Sequence, residues 1–187
     1  SSDDGSNTAK IRALRRLGKY EILGEIARGG MGIIYKARQM DLQRIVALKT
    51  LRNEELGKPE AAEKFHDEAR SVAGLRHPNI VESHEFEQDE GSWFLAMEFV
   101  DGENLGQMVE HHGTLPVPKA VDYAIQMLRA LTYAHELGIV HRDLKPGNLI
   151  VTDEDRMVLF DFGFLVSRKL VKLGEDVSHT VVRVGTD

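Results

Sequence analysis

Four polar residues in the last third of the chain have the types and spacing that suit phosphate chemistry. Asp143, Lys145 and Asn148 lie within six residues in the run HRDLKPGN, and Asp161 follows in FDFG. A carboxylate can accept a proton, an ammonium group can neutralise a phosphate, and carboxylate and amide oxygens suit Mg²⁺. This pattern predicts a site that combines a base, a phosphate-binding cation and two magnesium ligands.

Three features nearer the N-terminus could complete such a site. The turn ARGGMG contains Gly29 and Gly32, which let backbone N–H groups approach a phosphate closely, although such turns are often ordinary hairpins. Lys49 ends the apolar run VALK, where it is either a solvated strand end or a partner for phosphate oxygens. Glu68 lies at the edge of an apolar helical stripe, so it either faces water or forms a salt bridge that holds Lys49.

Local patterns divide the chain into a β-rich first half and a helical second half. A basic run at 10–18 is compatible with a short helix that ends at Gly18. Residues 20–51 contain three β-rich runs separated by turn residues. The remaining predicted elements are a helix over 59–75, strands near 80–87 and 92–99, helices near 104–111 and over 117–137, and a strand pair in LIV and MVLF.

Composition narrows the classes of partner and compartment. The formal net charge of −6 argues against a nucleic-acid-binding surface. The chain has no Cys, which excludes disulfides and thiolate metal sites and fits a reducing, cytoplasmic environment. No apolar run approaches the roughly 18 residues that a membrane span requires, and no signal peptide is visible. We therefore expect neither a nucleic-acid partner nor a membrane contact within this chain.

The order and spacing of these motifs resemble the eukaryotic-type protein serine/threonine kinases, and the GGMG loop is similar to bacterial members. Lys145 in HRDLKP resembles the serine/threonine branch of that family. The resemblance covers 20–187 and implies an α+β, two-lobed fold with a β-rich N-lobe, one main N-lobe helix and an incomplete α-helical C-lobe. It divides the chain into a tail (1–18), the N-lobe with the hinge (19–100) and a partial C-lobe that ends in the activation segment (101–187).

The resemblance also implies roles in ATP-dependent phosphate transfer. Asp143 would be the catalytic base and Lys145 would contact the γ-phosphate. Lys49, paired with Glu68, would hold the α- and β-phosphates. The ligands of Mg²⁺ would be Asn148 and Asp161.

The nucleotide would lie between the two lobes. Gly29 and Gly32 would cover its phosphates, Met97 would be the gatekeeper, and the backbone of Glu98 and Val100 would bind adenine. The adenine ring would be sandwiched by Ile26, Ile34, Ala47 and Ile150. The simpler interpretation of these apolar residues is that they form the core, and in this fold they would do both.

The C-terminal part carries two further expectations. Ser178 and Thr180 lie where family members are commonly phosphorylated, and Arg142 is the type of residue that pairs with such a phosphate. The predicted helix over 117–137 is apolar on two sides, which is typical of a helix buried on two sides. Since the sequence ends after the activation loop, we expect the chain to be truncated and to self-associate as a homodimer, with exchange of its C-terminal segment as one route.

Three functions remain open from the residues alone. The first is a serine/threonine kinase that uses ATP and Mg²⁺ on a protein substrate or, because of the truncation, only on itself. The second is a nucleotide-binding module that acts through self-association with little turnover. The third is a small-molecule kinase, which the GGMG loop and HRDLKPGN disfavour.

Overall fold

The computed structural model describes residues 16–29, 32–51, 63, 65–66, 69–70, 72–89 and 91–161. In these ranges nine strands form two sheets, one of six antiparallel strands in the order β1-β2-β3-β4-β6-β5 and one of three in the order β7-β8-β9. The strands are β1 (Arg16–Leu17), β2 (Tyr20–Arg28), β3 (Gly32–Gln39), β4 (Arg44–Leu51), β5 (Ser83–Asp89), β6 (Ser92–Glu98), β7 (Glu103–Asn104), β8 (Leu149–Val151) and β9 (Met157–Leu159).

The two faces of the larger sheet bury two different apolar clusters. Side chains alternate between the faces of a strand, so β4 sends Val46 and Leu48 to the outer face and Ala47 and Lys49 to the inner face. The outer cluster consists of Tyr20, Ala37, Val46, Leu48, Phe94 and Ala96. The inner cluster continues into the smaller sheet and the helices, so the inner face is the one that can position a site between the two sheets.

A helical segment packs against the inner face of the larger sheet. Its described residues between 63 and 72 are helical, and Phe65, Ala69 and Val72 are buried at the three- and four-residue spacing of one helix face. The predicted helix over 59–75 is confirmed within these residues, while Ala73 and Gly74 form a turn. The segment supplies the one main helix expected beside the sheet.

Two helices follow the larger sheet. Helix α1 (Leu105–His112) is capped by Asn104, whose side-chain oxygen accepts a hydrogen bond from the backbone N of Gln107 at 2.9 Å. Helix α2 (Val117–Glu136) starts after Pro116, and Gly138, with a φ of 76°, lies just beyond its end. Both helices agree with the sequence prediction to within a residue.

The two apolar sides of α2 have different surroundings among the described residues. Tyr123, Ala130 and Ala134 are buried and pack into the inner cluster. On the other side, Val117, Val121, Ile125 and Leu128 are 74%, 52%, 42% and 56% exposed. The two-sided apolar pattern is therefore present, and the part of the chain that the structure describes covers one side.

Two sequence predictions need correction. The proposed helix over 10–18 is wrong for Arg16 and Leu17, which form β1 and pair with β2 because Gly18, with a φ of 53°, turns the chain back. Strand β5 begins at Ser83 rather than near 80, because Ile80 forms a parallel bridge with Leu159 of the other sheet. Residues 10–15 lie outside the described ranges.

No helix among the described residues is both long enough and apolar enough to cross a membrane.

Candidate active site

Asp143 lies in the loop between α2 and β8 and accepts several hydrogen bonds. Its Oδ2 is 2.7 Å from Nζ of Lys145 and 3.2 Å from Nδ2 of Asn148, which also donates to the backbone O of Asp143 at 2.8 Å. The hydrogen bond from Lys145 is the main reason that the pKa of Asp143 lies below its usual value, and Asn148 adds to it. Asp143 is therefore a carboxylate at neutral pH, as a proton acceptor must be.

The Asp143 loop is fixed to the end of β9 by two hydrogen bonds. Nε2 of His141 lies 3.0 Å from the backbone O of Phe160, and the backbone N of Phe160 donates to the backbone O of Asn148 at 3.1 Å. His141 and Asn148 are both buried. These contacts bring Asp161, the residue after Phe160, beside the loop that carries Asp143.

Two residues of this region have left-handed backbone conformations that are uncommon outside glycine. Arg142 has a φ of 63° and Asp161 a φ of 61°. Arg142 directly precedes Asp143, and Asp161 directly follows Phe160, whose backbone bonds to His141 and Asn148. Such conformations persist only where the surrounding structure holds them, and they concentrate at functional sites.

Lys49 and Asp161 connect the larger sheet to the segment beside the Asp143 loop. Nζ of Lys49, on the inner face of β4, lies 2.7 Å from Oδ1 of Asp161. The Lys49 side chain is only 13% exposed, whereas that of Lys145 is 55% exposed. A partly buried ion pair is screened less by solvent than a surface pair, and this contact joins β4 to the segment that follows β9.

Packing explains why one of the two predicted glycines in the glycine-rich segment must be glycine. The backbone N of Gly29, after β2, donates to the backbone O of Gly32, at the start of β3, at 2.9 Å. A Cβ at position 32 would lie 2.4 Å from the backbone O of Thr50, whereas a Cβ at position 29 has space. Gly32 is thus required by the close approach of β3 and β4, independently of any ligand.

The predicted adenine-binding residues lie around the opening between the two sheets. Ala47 and Met97 are buried and paired across β4 and β6, and Val100 is buried in the linker (residues 98–102) that joins the sheets. Ile34 and Ile150 are half-buried, whereas Ile26 is exposed. A cavity beside them is lined by Ile34, Lys49, Val72, Val81, Ser83, Leu95, Met97, Phe160 and Asp161.

The predicted metal ligands have the right chemistry for a hard divalent cation. Asn148 and Asp161 supply amide and carboxylate oxygens, the donor atoms that Mg²⁺ prefers. Nδ2 of Asn148 donates to Asp143, so the acceptor Oδ1 is the amide atom suited to a metal. The hydrogen bond between Phe160 and Asn148 keeps the two ligand-bearing segments adjacent.

Comparisons with known proteins identify the class. The family model for the protein kinase domain matches residues 20–186. PknA of Mycobacterium tuberculosis, a serine/threonine-protein kinase, is 39% identical over 151 residues, which cover 78% of this chain and 35% of PknA. A probable serine/threonine-protein kinase of Clostridium perfringens is 37% identical over 149 residues, which cover 80% of this chain and 22% of the relative.

A solved structure agrees with the sequence relatives. The crystal structure of the Mycobacterium tuberculosis PknI kinase domain matches with a TM-score of 0.67 and 30% identity, covering 81% of this chain and 62% of that domain. This chain belongs to the protein kinase family. The predictions of the family, of its bacterial serine/threonine branch and of the fold are confirmed. The chain spans about a fifth to a third of the length of these two curated relatives.

Some predicted residues lie outside the described ranges, and some site residues were missed. Glu68, Ser178 and Thr180 are among those outside. His141 received no role from the sequence, although its position two residues before Asp143 was a usable signal. The remaining missed residues belong to a network beside the linker and are Asn79, Gln126 and Arg156.

Proposed function

We propose that this chain transfers the γ-phosphate of ATP to serine or threonine hydroxyl groups. The observation that carries the proposal is the convergence of the polar groups at the junction of the two sheets. Asp143 lies within hydrogen-bonding distance of Lys145 and Asn148, and Lys49 lies 2.7 Å from Asp161. A base, two cations and two oxygen ligands within one junction match what phosphoryl transfer requires.

The reaction assigns one task to each group. A bond forms between the acceptor hydroxyl oxygen and the γ-phosphorus, while the bond between that phosphorus and the β–γ bridging oxygen breaks. Asp143 orients the hydroxyl and takes its proton, which its ionised state permits. Lys145 neutralises charge on the transferred group, and Lys49 neutralises charge on the α- and β-phosphates.

ATP and the metal would be held by residues from both sheets. Asn148 and Asp161 would hold a divalent cation, which we propose to be Mg²⁺ and which neutralises phosphate charge when bound. The backbone of Glu98 and Val100 would bind adenine between Ala47 and Ile150, and the turn at Gly29 and Gly32 would cover the phosphates. The remaining apolar contacts would come from Ile26, Ile34 and Met97.

Mass spectrometry after incubation with ATP and Mg²⁺ tests this function. We expect phosphate on Ser178 or Thr180, because autophosphorylation makes the smallest demand for a platform that binds other proteins. Phosphate incorporation should disappear in the Ser178→Ala/Thr180→Ala variant, because these are the proposed acceptors. A small-molecule panel in the same assay tests the rival reaction. Phosphate transfer to a small molecule, with none to protein, would overturn the proposal.

A second candidate function is self-association with a second copy of this chain. The observation that favours it is the exposed apolar side of α2, formed by Val117, Val121, Ile125 and Leu128 among the described residues. Covering this side would remove several large apolar side chains from water, each worth about 1.5–3 kcal/mol when fully buried. We propose a homodimer, and exchange of the C-terminal segment is one way to form it.

Light scattering at several protein concentrations tests the dimer. We expect a dimer in the wild type and a monomer in Ile125→Glu/Leu128→Glu. Val109→Glu, at a position that is 42% exposed on α1, is the matched control and should remain dimeric. A wild-type monomer at every concentration would contradict the homodimer.

Two further assignments, a cellular location and the division between the lobes, complete the proposal. We propose a cytoplasmic location, supported by the absence of cysteine. We also propose the division at residue 100 between N-lobe and C-lobe, supported by the position of the linker between the two sheets.

A further inference from the structure

Arg156 connects three segments that meet beside the linker. It lies in the turn between β8 and β9, immediately before Met157. Its Nη2 lies 2.9 Å from Oε1 of Glu98, and its Nη1 donates to the backbone O of Pro78 at 3.2 Å. One guanidinium group therefore joins the β8–β9 turn to the first residue of the linker and to the loop 76–82.

Loop 76–82 is itself fixed to the part of the molecule that carries the catalytic loop. Nδ2 of Asn79 donates to the backbone O of Met157 at 2.7 Å and to Oε1 of Gln126, on α2, at 2.8 Å. The backbone N of Leu159 donates to the backbone O of Asn79 at 2.9 Å. Since Asn79 is buried, these bonds are protected from competing water, and the loop is a firm anchor for Arg156.

The linker is held from both sides at two consecutive residues. Besides its contact with Arg156, Glu98 donates its backbone N–H to the backbone O of Glu82 at 2.8 Å. The next residue, Phe99, lies under Nζ of Lys36, which is 4.3 Å from the ring centroid and belongs to β3. The start of the linker is thus attached to the larger sheet by Lys36 and to the smaller sheet by Arg156.

We propose that Arg156 is a positioning residue for the nucleotide. By tying Glu98 to loop 76–82, it fixes the linker backbone, whose groups at Glu98 and Val100 would bind adenine. The side chains of Arg156 and Glu98 are 37% and 30% exposed, and ion pairs at such positions contribute little to folding. Its effect is therefore on nucleotide affinity far more than on stability. This inference rests on the proposed ATP binding.

Titration of the full chain with ATP tests the affinity. We expect Arg156→Gln to bind ATP about three- to tenfold more weakly, the range typical of a residue coupled to a ligand that it does not touch. Arg156→Lys should recover only part of the loss, because one ammonium group cannot reproduce the planar fork that contacts both Glu98 and Pro78. The double variant Glu98→Gln/Arg156→Gln should bind ATP about as weakly as either single variant, because both substitutions remove the same contact.

Arg38→Gln is the matched control for removing a surface ion pair. Arg38, on β3, lies 3.3 Å from Glu21, on β2, and this pair is away from the linker. Its side chains have an exposure similar to those of Arg156 and Glu98. Arg38→Gln should leave ATP affinity within twofold of the wild type. Unchanged affinity in Arg156→Gln, or an equal loss in Arg38→Gln, would overturn the inference.

Hydrogen exchange without nucleotide separates this inference from the proposed function. We expect Arg156→Gln to accelerate exchange of the Glu98 amide by about fivefold or more, because its bond to Glu82 is no longer held in place. Arg38→Gln should not change it. If the wild type bound no ATP, the proposed function and the affinity effect would both fail. Accelerated exchange would still support the positioning of the linker, and unchanged exchange would overturn it.

Discussion

Lys49 and Asp143 are placed in the junction by two different kinds of structure. Lys49 lies on β4, inside a ladder with β3 and β6 on either side, so the backbone sets its position. Asp143 lies on a loop that is held mainly by individual hydrogen bonds from Asn148 and from the contact between His141 and Phe160. The strand position should therefore tolerate changes of single polar neighbours, whereas the loop position should depend on them.

Among the paired variants that compare the strand with the loop, the largest expected effect contrasts the two lysines. Lys49→Met removes a partly buried charge that is paired with Asp161 and that would contact ATP in the ground state. We expect weaker ATP binding and a fall in phosphate transfer of about 100-fold or more. Lys145→Met should lower the rate of phosphate transfer and leave ATP affinity unchanged, because Lys145 would act on the transferred phosphate. Nucleotide titration and single-turnover transfer measure both. Equal losses of ATP affinity in Lys49→Met and Lys145→Met would contradict this difference between the two lysines.

The next effect tests whether the strand ladder depends on backbone spacing. Gly32→Ala places a Cβ closer to the backbone O of Thr50 than van der Waals contact allows. We expect a loss of about 1–3 kcal/mol in the free energy of unfolding, as overpacking usually costs. Urea unfolding measures it, and Gly29→Ala is the control, because a Cβ at position 29 has space. An equal loss in both variants would break the argument.

The smallest effect concerns the loop and pH. Burial lowers the pKa of His141 from 6.5, and the neutral ring bonds Phe160 through Nε2. This contribution to stability is complete above pH 6.5 and is lost as pH falls below it, because the unfolded chain takes up the proton first. Urea unfolding between pH 7.5 and 5.5 should show a shallower pH dependence in His141→Gln. The exposed His135→Gln should keep the wild-type slope.

The sequence predicted most of what local patterns and motifs encode. The β-rich runs in 20–51 predicted the strand that carries Ala47 and Lys49, and the spacing in HRDLKPGN predicted that Asp143 and Asn148 act at one site. The same patterns failed at Arg16, where a turn at Gly18 and pairing across the sheet override the helical signal.

The linker network could not be predicted, because its contacts join residues far apart in the chain. Arg156 and Glu98 are 58 residues apart, and Asn79 and Gln126 are 47 apart. No local pattern gave a role to Arg156 or to Asn79. Such partners are set by the packing of the two sheets, which no local periodicity records.

The most direct test of the account compares ATP binding and phosphate transfer in Asp143→Asn. Asn keeps the size of the side chain and an oxygen that can face Lys145, but it cannot take a proton. We predict ATP affinity within about twofold of the wild type and a fall in single-turnover phosphate transfer of about 100- to 10,000-fold. Transfer at the wild-type rate, with ATP still bound, would contradict the role of Asp143 and with it the proposed chemistry.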